Sequence, residues 1–154
     1  MRQVTTKVAR GAIMAAVYAV VTIILAPISF GVFQIRVAEA LTVLPILFPE
    51  AIWGLFLGCL LSNIYGGLGP IDIFLGSLTT LLAAWLTYLF RTSPLAYMWP
   101  IVLNGIIVGT YLSFLLHMNM LLSIASVSAG EAIAVLALGV PLIRHLRKLK
   151  WHDR

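Results

Sequence analysis

Residues 37–65 read VAEALTVLPILFPEAIWGLFLGCLLSNIY, and this stretch decides the fold. It is apolar almost throughout and longer than the roughly 20 residues that form one membrane-spanning helix. Pro45, Pro49 and Glu50 interrupt it near its middle, where a proline bends or ends a helix. We therefore predict two short helices that meet near Pro49, because interrupted spans are tolerated where protein surrounds the backbone.

The composition of the whole chain supports a membrane protein. Of its 154 residues, 62% are hydrophobic and 10% are charged, which is more apolar surface than a water-soluble domain of this size can bury. No linker divides the chain, so we expect a single transmembrane domain over residues 1–154. The predicted fold class is an all-α integral membrane protein. Its helices are predicted at about 8–26, 37–48, 51–66, 71–90, 98–117 and 121–143, followed by a basic tail at 144–154.

Basic residues at both ends of the chain supply most of the formal net charge of +5. They are Arg2, Lys7 and Arg10 before the first apolar run, and Arg144, Arg147, Lys148, Lys150 and Arg154 after the last. Because Lys and Arg beside spans mark the cytoplasmic side, we predict cytoplasmic termini and an even number of crossings, about six. This topology explains the charge without a nucleic-acid partner and indicates a multi-pass protein of the cell membrane. The first run lacks a convincing cleavage site, so we expect a retained helix rather than a signal peptide.

Three of the five acidic residues fall within or at the ends of predicted spans: Glu39, Asp72 and Glu131. Charged groups near hydrocarbon are costly and usually face a protein interior, so these are candidate ligand contacts. Glu39 lies three residues after Arg36, which also permits a local ion pair. Asp72 stands at a helix start, where a carboxylate offsets the helix dipole. Glu131 lies well inside the last apolar segment, which favours a functional role or a buried network.

Two amide side chains, Gln34 and Asn104, offer paired donors and acceptors to a ligand. For Asn104 an interhelical hydrogen bond near the cytoplasmic end of its span is the alternative. Small residues recur four positions apart and favour close helix packing. These pairs include Ala15 with Ala19, Gly54 with Gly58, and Ala12 with Ala16, the last of which could instead dock another membrane subunit.

The chain carries no recognisable catalytic motif. It has no P-loop, no HExxH pair and no nucleophile elbow, so we predict neither an enzyme nor autonomous ATP-driven transport. Cys59 is the single cysteine, and no disulfide, metal site or cofactor is expected. A transporter of this kind would take its energy from an ion gradient or from a partner ATPase.

The run FGVFQIRVAEAL, from Phe30 to Leu41, resembles the signature of the QueT family. Members of that family are substrate-binding S components of energy-coupling-factor (ECF) transporters for queuosine precursors. Further similarities follow in order along nearly the whole chain. They are Gly58-Cys59 with Asn63, Asp72-Ile73 followed by Gly76-Ser77, Asn104-Gly105, and Gly130-Glu131.

The resemblance implies a six-helix S component that works with a transmembrane coupling subunit (T) and two cytoplasmic ATPases (A and A′). It implies that Ala12 and Ala16 dock the T subunit. It also implies a 7-deazaguanine substrate such as 7-aminomethyl-7-deazaguanine (preQ1), its 7-cyano analogue (preQ0) or queuine. In such a transporter the S component binds substrate from the outer side and reorients in the membrane as the ATPases cycle.

The polar residues fit this substrate chemically. A guanine-like edge presents adjacent N–H donors that a carboxylate accepts as a pair, and an aminomethyl group is cationic near neutral pH. We predict that Glu39 and Glu131 supply the carboxylates and that Arg36 orients Glu39. The other predicted contacts are the polar groups of Asp72, Gln34, Asn63 and Asn104 and the ring of Phe33 or Tyr65.

Two other functions stay open at this point. A small proton-coupled transporter would use Glu131 or Asp72 as its proton carrier and would need no ATPase. A purely structural assembly subunit would use its small-residue faces for partners and bind no small molecule.

Overall fold

The computed structural model describes residues 2–30 and 35–149, and within these ranges the chain is helical without a strand. The predicted all-α fold class is therefore confirmed. A short helical turn, Ala26–Ser29, follows the first helix. The main helices are α1 (Arg2–Ile24), α2 (Val37–Ile46), α3 (Ala51–Gly66), α4 (Asp72–Leu89), α5 (Pro94–Leu115) and α6 (Met120–Lys148).

Four of the described helices, α1, α4, α5 and α6, are long and apolar enough to cross a membrane. The stretch 37–65 does form two helices that meet around Pro49, and they are shorter, with 10 residues in α2 and 16 in α3. α2 is a 3-10 helix that contains Pro45. The number of crossings stays a prediction, because length alone assigns a span only to the four long helices.

Three helices extend beyond their predicted bounds. α1 begins at Arg2 rather than at residue 8, because the polar residues before the apolar run continue the helix. α5 begins at Pro94 rather than at residue 98, since proline suits a first helical turn and the Ser93 hydroxyl accepts a hydrogen bond from Leu95 N at 3.3 Å. α6 runs through part of the predicted tail to Lys148, and basic residues in its last turn offset the helix dipole.

α1 packs against α3 through small residues. A Cβ atom added to Gly58 would lie 2.8 Å from the carbonyl oxygen of Ala15, and one added to Gly54 would lie 2.5 Å from that of Gly11. Because these positions leave no room for a side chain, the two helix backbones approach closely. This contact fixes α1 relative to the rest of the bundle.

The alanines of α1 separate into a buried and an exposed set. Ala15 and Ala19 are buried in the contact with the neighbouring helices. Ala12 and Ala16 are exposed. The pair predicted to dock a partner is therefore accessible at the surface of the described structure.

The beginning of α1, the turn between α2 and α3 and the end of α6 lie at one end of the molecule. Glu50 precedes α3, as predicted, and its Oε1 lies 3.6 Å from Arg10 Nη1. Beside this pair is a cavity of about 280 Å³, which we call the apolar cavity. It is lined by Arg10, Ile13, Met14, Val17, Leu41, Leu44, Phe48, Leu142 and Leu146. The first part of α1 and the last part of α6 therefore lie at the same end of the described bundle.

Large apolar side chains cover much of the surface. Phe74 on α4, Ile106 on α5 and Leu121 on α6 are all exposed, the last with 74% of its surface accessible. Water-soluble monomers rarely expose apolar surface on several sides at once. The surface therefore suits a lipid environment, as the composition predicts.

Candidate functional site

Polar side chains meet in the interior of the bundle around a small cavity, which we call the polar cavity. Glu39 and Glu131 both line it, and they are 3% and 5% exposed. Its volume is about 20 Å³, which is room for one water molecule. The full lining is Arg36, Glu39, Gly76, Thr80, Asn104, Val108, Val127 and Glu131.

The Glu39 side chain is held by Tyr18. The Tyr18 hydroxyl donates a hydrogen bond to Glu39 Oε1, whereas Glu39 Oε2 has no hydrogen-bond partner. Tyr18 comes from α1 and is fully buried, and Glu39 comes from the first turn of α2. Two separate helices therefore fix the position of this carboxyl group.

The ion pair that the spacing of Arg36 and Glu39 permits is not found among the described residues. Arg36 precedes α2 and has an extended backbone (φ −85°, ψ 95°). Its side chain therefore does not point in the direction that it would take in a helix. Its Nη1 instead lies 3.7 Å from Cys59 Sγ, and its guanidinium lies over the ring of Phe30 at 5.0 Å. Arg36 Nε and Nη2 have no hydrogen-bond partner. The Arg36 side chain therefore lines the polar cavity without forming an ion pair with the Glu39 carboxylate, although the Glu39 backbone N–H donates to the Arg36 carbonyl oxygen at 2.9 Å.

Glu131 is held in a similar way by Asn104. The Asn104 Nδ2 group donates a hydrogen bond to Glu131 Oε1 at 2.9 Å, and this bond links α5 to α6. Asn104 lies in the middle of α5, not near its cytoplasmic end as predicted, because α5 begins earlier, at Pro94. The interhelical hydrogen bond considered for Asn104 is present.

Departures from α-helical geometry accompany the polar residues. Asp72 and Asn104 each begin a π-helical segment, and another such segment, Ile133–Gly139, begins two residues after Glu131. A π-helical segment redirects the side chains that follow it, and such segments are frequent at functional sites. Each of these three polar residues therefore lies at or just before a π-helical segment.

Asp72 belongs to a second polar group, which lies behind Gly76. Asp72 Oδ1 accepts a hydrogen bond from the Tyr111 hydroxyl at 2.7 Å, and Asn63 Nδ2 donates to the Asp72 carbonyl oxygen at 3.0 Å. Asp72 begins α4, as predicted, but its carboxylate contacts Tyr111 and caps no backbone N–H. A Cβ atom on Gly76 would lie 2.7 Å from Tyr111 Oη, so only glycine lets this group approach the cavity wall.

Cys59 connects the two polar groups. The Thr80 hydroxyl donates to Cys59 Sγ at 3.3 Å, and Asn63 Nδ2 lies 3.5 Å from the same sulfur. Among the described residues, no group of three or more His, Cys, Asp and Glu side chains is arranged to hold a metal ion.

Sequence reasoning missed Tyr18, Thr80 and Tyr111. A tyrosine in an apolar helix looks like a packing or interfacial residue, and nothing local marks its hydroxyl as buried. The available signal for Tyr18 was its position on the small-residue face of α1, one turn from Ala15. A polar tip on a face that packs closely must find a partner in the interior.

Some predicted contacts are not part of the described site. Phe33 and Gln34 lie outside the described residues. Tyr65 is 60% exposed near the end of α3 and does not line the polar cavity. The structure thus does not bring the Tyr65 ring to the acids, and its predicted stacking role lacks structural support.

The fold and the buried acidic groups define a helical membrane protein built around an internal polar site. A family model described as QueT transporter matches residues 8–148. The chain belongs to the QueT transporter family, so the resemblance seen in its sequence is confirmed and the protein is a membrane transporter. No match was found among the curated proteins or the solved structures compared with it.

Proposed function

We propose that the protein is the S component of an ECF-type importer and that it captures a queuosine precursor in the polar cavity. The observation that carries this proposal is the pair of acids, Glu39 and Glu131, in one buried cavity where Arg36 is the only basic residue among the described lining. An excess of acidic groups away from water favours a ligand that is rich in N–H donors or positively charged. A 7-deazaguanine supplies the donors, and the aminomethyl group of preQ1 supplies the charge.

The two acids serve different parts of the substrate in this proposal. One carboxylate accepts the paired N–H donors of the guanine-like edge, and the other faces the substituent at the seven position. Asn104 stays with Glu131, to which it is already bonded at 2.9 Å. Asp72 and Asn63 support the cavity wall behind Gly76, where their hydrogen bonds keep α3 and α4 together.

Binding must widen the polar cavity, because about 20 Å³ does not accommodate a bicyclic base. We expect the Arg36 side chain to move, since its Nε and Nη2 have no hydrogen-bond partner to hold them. Its withdrawal would also remove the positive charge nearest to a cationic ligand. When the Arg36 side chain moves out and the substrate enters, the space between Glu39 and Glu131 becomes wider.

The direct test is calorimetry on the purified, detergent-solubilised protein with preQ1, preQ0, queuine and guanine. We expect saturable binding of at least one deazapurine and much weaker binding of guanine. If a folded sample bound none of the deazapurines, the proposed substrate class would be excluded.

We further propose that six helices cross the cell membrane with both termini cytoplasmic, and that Ala12 and Ala16 dock the T subunit of a complex with two ATPases. The support is that both alanines are exposed and lie one turn apart, so a partner helix can approach closely. Replacing both with leucine is expected to impair uptake in cells and to leave substrate binding unchanged. Ala125 and Ala129 form an exposed pair of the same spacing on α6 and provide the matched control.

A proton-coupled transporter is the second candidate. The observation that favours it is the fully buried Asp72, whose carboxylate shares a hydrogen bond with Tyr111 and could exchange a proton there. Uptake by such a transporter would stop when a protonophore collapses the gradient and would continue without the ATPases. The ECF proposal predicts the opposite dependence on the ATPases.

A further inference from the structure

We propose that Tyr18 is a positioning residue for the substrate, acting through its hydrogen bond to the Glu39 carboxylate. This inference rests on the proposed function, in which Glu39 contacts a deazapurine. It assigns a binding role to α1, a helix that contributes no residue to the lining of the polar cavity.

The hydrogen bond from Tyr18 gives the two oxygens of the Glu39 carboxylate different roles. Oε1 accepts the bond from the Tyr18 hydroxyl, whereas Oε2 accepts no hydrogen bond, and the carboxyl group of Glu39 lies beside that of Glu131. Tyr18 does not line the polar cavity, so it reaches the substrate only through Glu39. One oxygen is thereby fixed by the protein, and the second has unused acceptor capacity for a ligand donor.

Tyr18 is itself held firmly enough to position another side chain. It is fully buried in the main apolar core, and a Cβ atom on Gly58 would lie 2.8 Å from the Tyr18 Cβ, which shows how closely α3 packs against it. The Thr22 hydroxyl donates to the Tyr18 carbonyl oxygen at 2.9 Å. Since Glu39 has several rotatable bonds, a rigid donor reduces the side-chain entropy that ligand binding would otherwise remove.

The other acid of the polar cavity follows the same arrangement. Glu131 Oε1 accepts a hydrogen bond from Asn104 at 2.9 Å, so each carboxyl group is held by a neutral donor on a different helix. Asn104 lines the cavity and can touch a ligand, whereas Tyr18 does not line it. Tyr18 is therefore the cleaner case of a residue that acts by positioning alone.

The test replaces Tyr18 with phenylalanine, which removes only the hydroxyl, and measures deazapurine affinity by calorimetry. We expect Tyr18→Phe to weaken binding about tenfold, because a hydrogen bond to a charged group is lost. The control Tyr88→Phe makes the same chemical change on α4, next to Arg91, and is expected to bind like the wild type. The melting temperature of both variants is measured alongside.

A second variant separates positioning from a general packing effect. Glu39→Asp keeps the acid but withdraws it from the Tyr18 hydroxyl by one methylene, and we expect a loss of affinity at least as large as that of Tyr18→Phe, because the oxygen that accepts from the ligand also moves. In the Glu39→Asp background, Tyr18→Phe is expected to cause no further loss, since Glu39→Asp has already broken the hydrogen bond that Tyr18→Phe removes. This non-additivity would not arise if Tyr18 only filled space.

The outcomes distinguish this inference from the proposed function. If the wild type binds a deazapurine and Tyr18→Phe binds it equally well, the positioning role is wrong. If Tyr18→Phe does not fold, wild-type affinity in Glu39→Asp would overturn the role instead. Additive losses in the double variant would also overturn it. Failure of folded wild-type protein to bind any deazapurine would overturn the proposed function and this inference together.

Discussion

The two cavities of the molecule differ in both size and chemistry. The apolar cavity, of about 280 Å³, is lined by aliphatic and aromatic side chains, and its single charged group, Arg10, already lies 3.6 Å from Glu50. The polar cavity, of about 20 Å³, contains two acids with one neighbouring base. The smaller cavity is the better candidate for a specific site, because a few positioned polar groups give specificity and empty volume does not.

The difference in volume has a physical cause. Polar groups in the interior satisfy one another, and the hydrogen bond from Asn104 to Glu131 holds two lining residues of the polar cavity together. Aliphatic walls have no such directional contacts. A small polar cavity is therefore compatible with a site that opens when the Arg36 side chain moves aside for a ligand.

The largest effect is expected from removing one acid of the polar cavity. Glu131→Gln keeps an oxygen that accepts the bond from Asn104 but loses the paired acceptor for the guanine-like edge, so deazapurine binding should weaken roughly 100-fold. Glu39→Gln is expected to act in the same direction. Glu50→Gln is the matched control beside the apolar cavity, and calorimetry should show unchanged affinity for it. Equal affinity in all three folded variants would place the ligand elsewhere.

A smaller effect is expected from filling each cavity with an aromatic ring. Val127 lines the polar cavity and Leu44 the apolar one, and both are largely buried. Val127→Phe should weaken ligand binding about tenfold or more, since overpacking opposes the widening that binding requires. Leu44→Phe should leave binding unchanged, because the apolar cavity has space for the ring. The comparison fails if Leu44→Phe reduces affinity while Val127→Phe does not.

The smallest effect is expected at the amide that holds Glu131. Asn104→Ala removes one hydrogen bond of 2.9 Å and should weaken binding roughly fivefold. Asn119→Ala removes a cap at the start of α6, where Asn119 Oδ1 accepts from Leu122 N at 3.1 Å. That control should lower stability by about 1 kcal/mol without changing affinity. Thermal unfolding and calorimetry on the same samples separate the two effects, and a reversed pattern would contradict the assignment.

Much of the fold was predictable because helix formation in a membrane protein depends on local features. The length of each apolar run predicted the four long helices, and Pro45 and Pro49 predicted that the stretch between residues 37 and 65 would break into two. Helix ends were less accurate, since polar residues such as Arg2 and Lys148 continue a helix without apolar character. α5 begins earlier than predicted because Pro94 suits the first turn of a helix and Ser93 caps that turn.

The sequence predicted which acidic residues belong to the candidate site, but it did not predict which residues they contact. Glu39, Asp72 and Glu131 stood out because acids are scarce in apolar segments, and all three are buried. The spacing of Arg36 and Glu39 permitted a local ion pair, yet the Arg36 guanidinium lies near Cys59 and over the ring of Phe30 instead. Tyr65 looked like a ring available for stacking, but the orientation of α3 leaves it exposed.

The sequence by itself determined that this protein is helical, that lipid is its solvent and that it belongs to the QueT transporter family, because these properties follow from residue types and their order along the chain. Only the tertiary structure decided which polar groups meet. Tyr18 and Glu39 are 21 residues apart, and Asn104 and Glu131 are 27 apart. Their contacts depend on how closely whole helices pack, as α1 and α3 do at Gly58, and no local pattern specifies that distance.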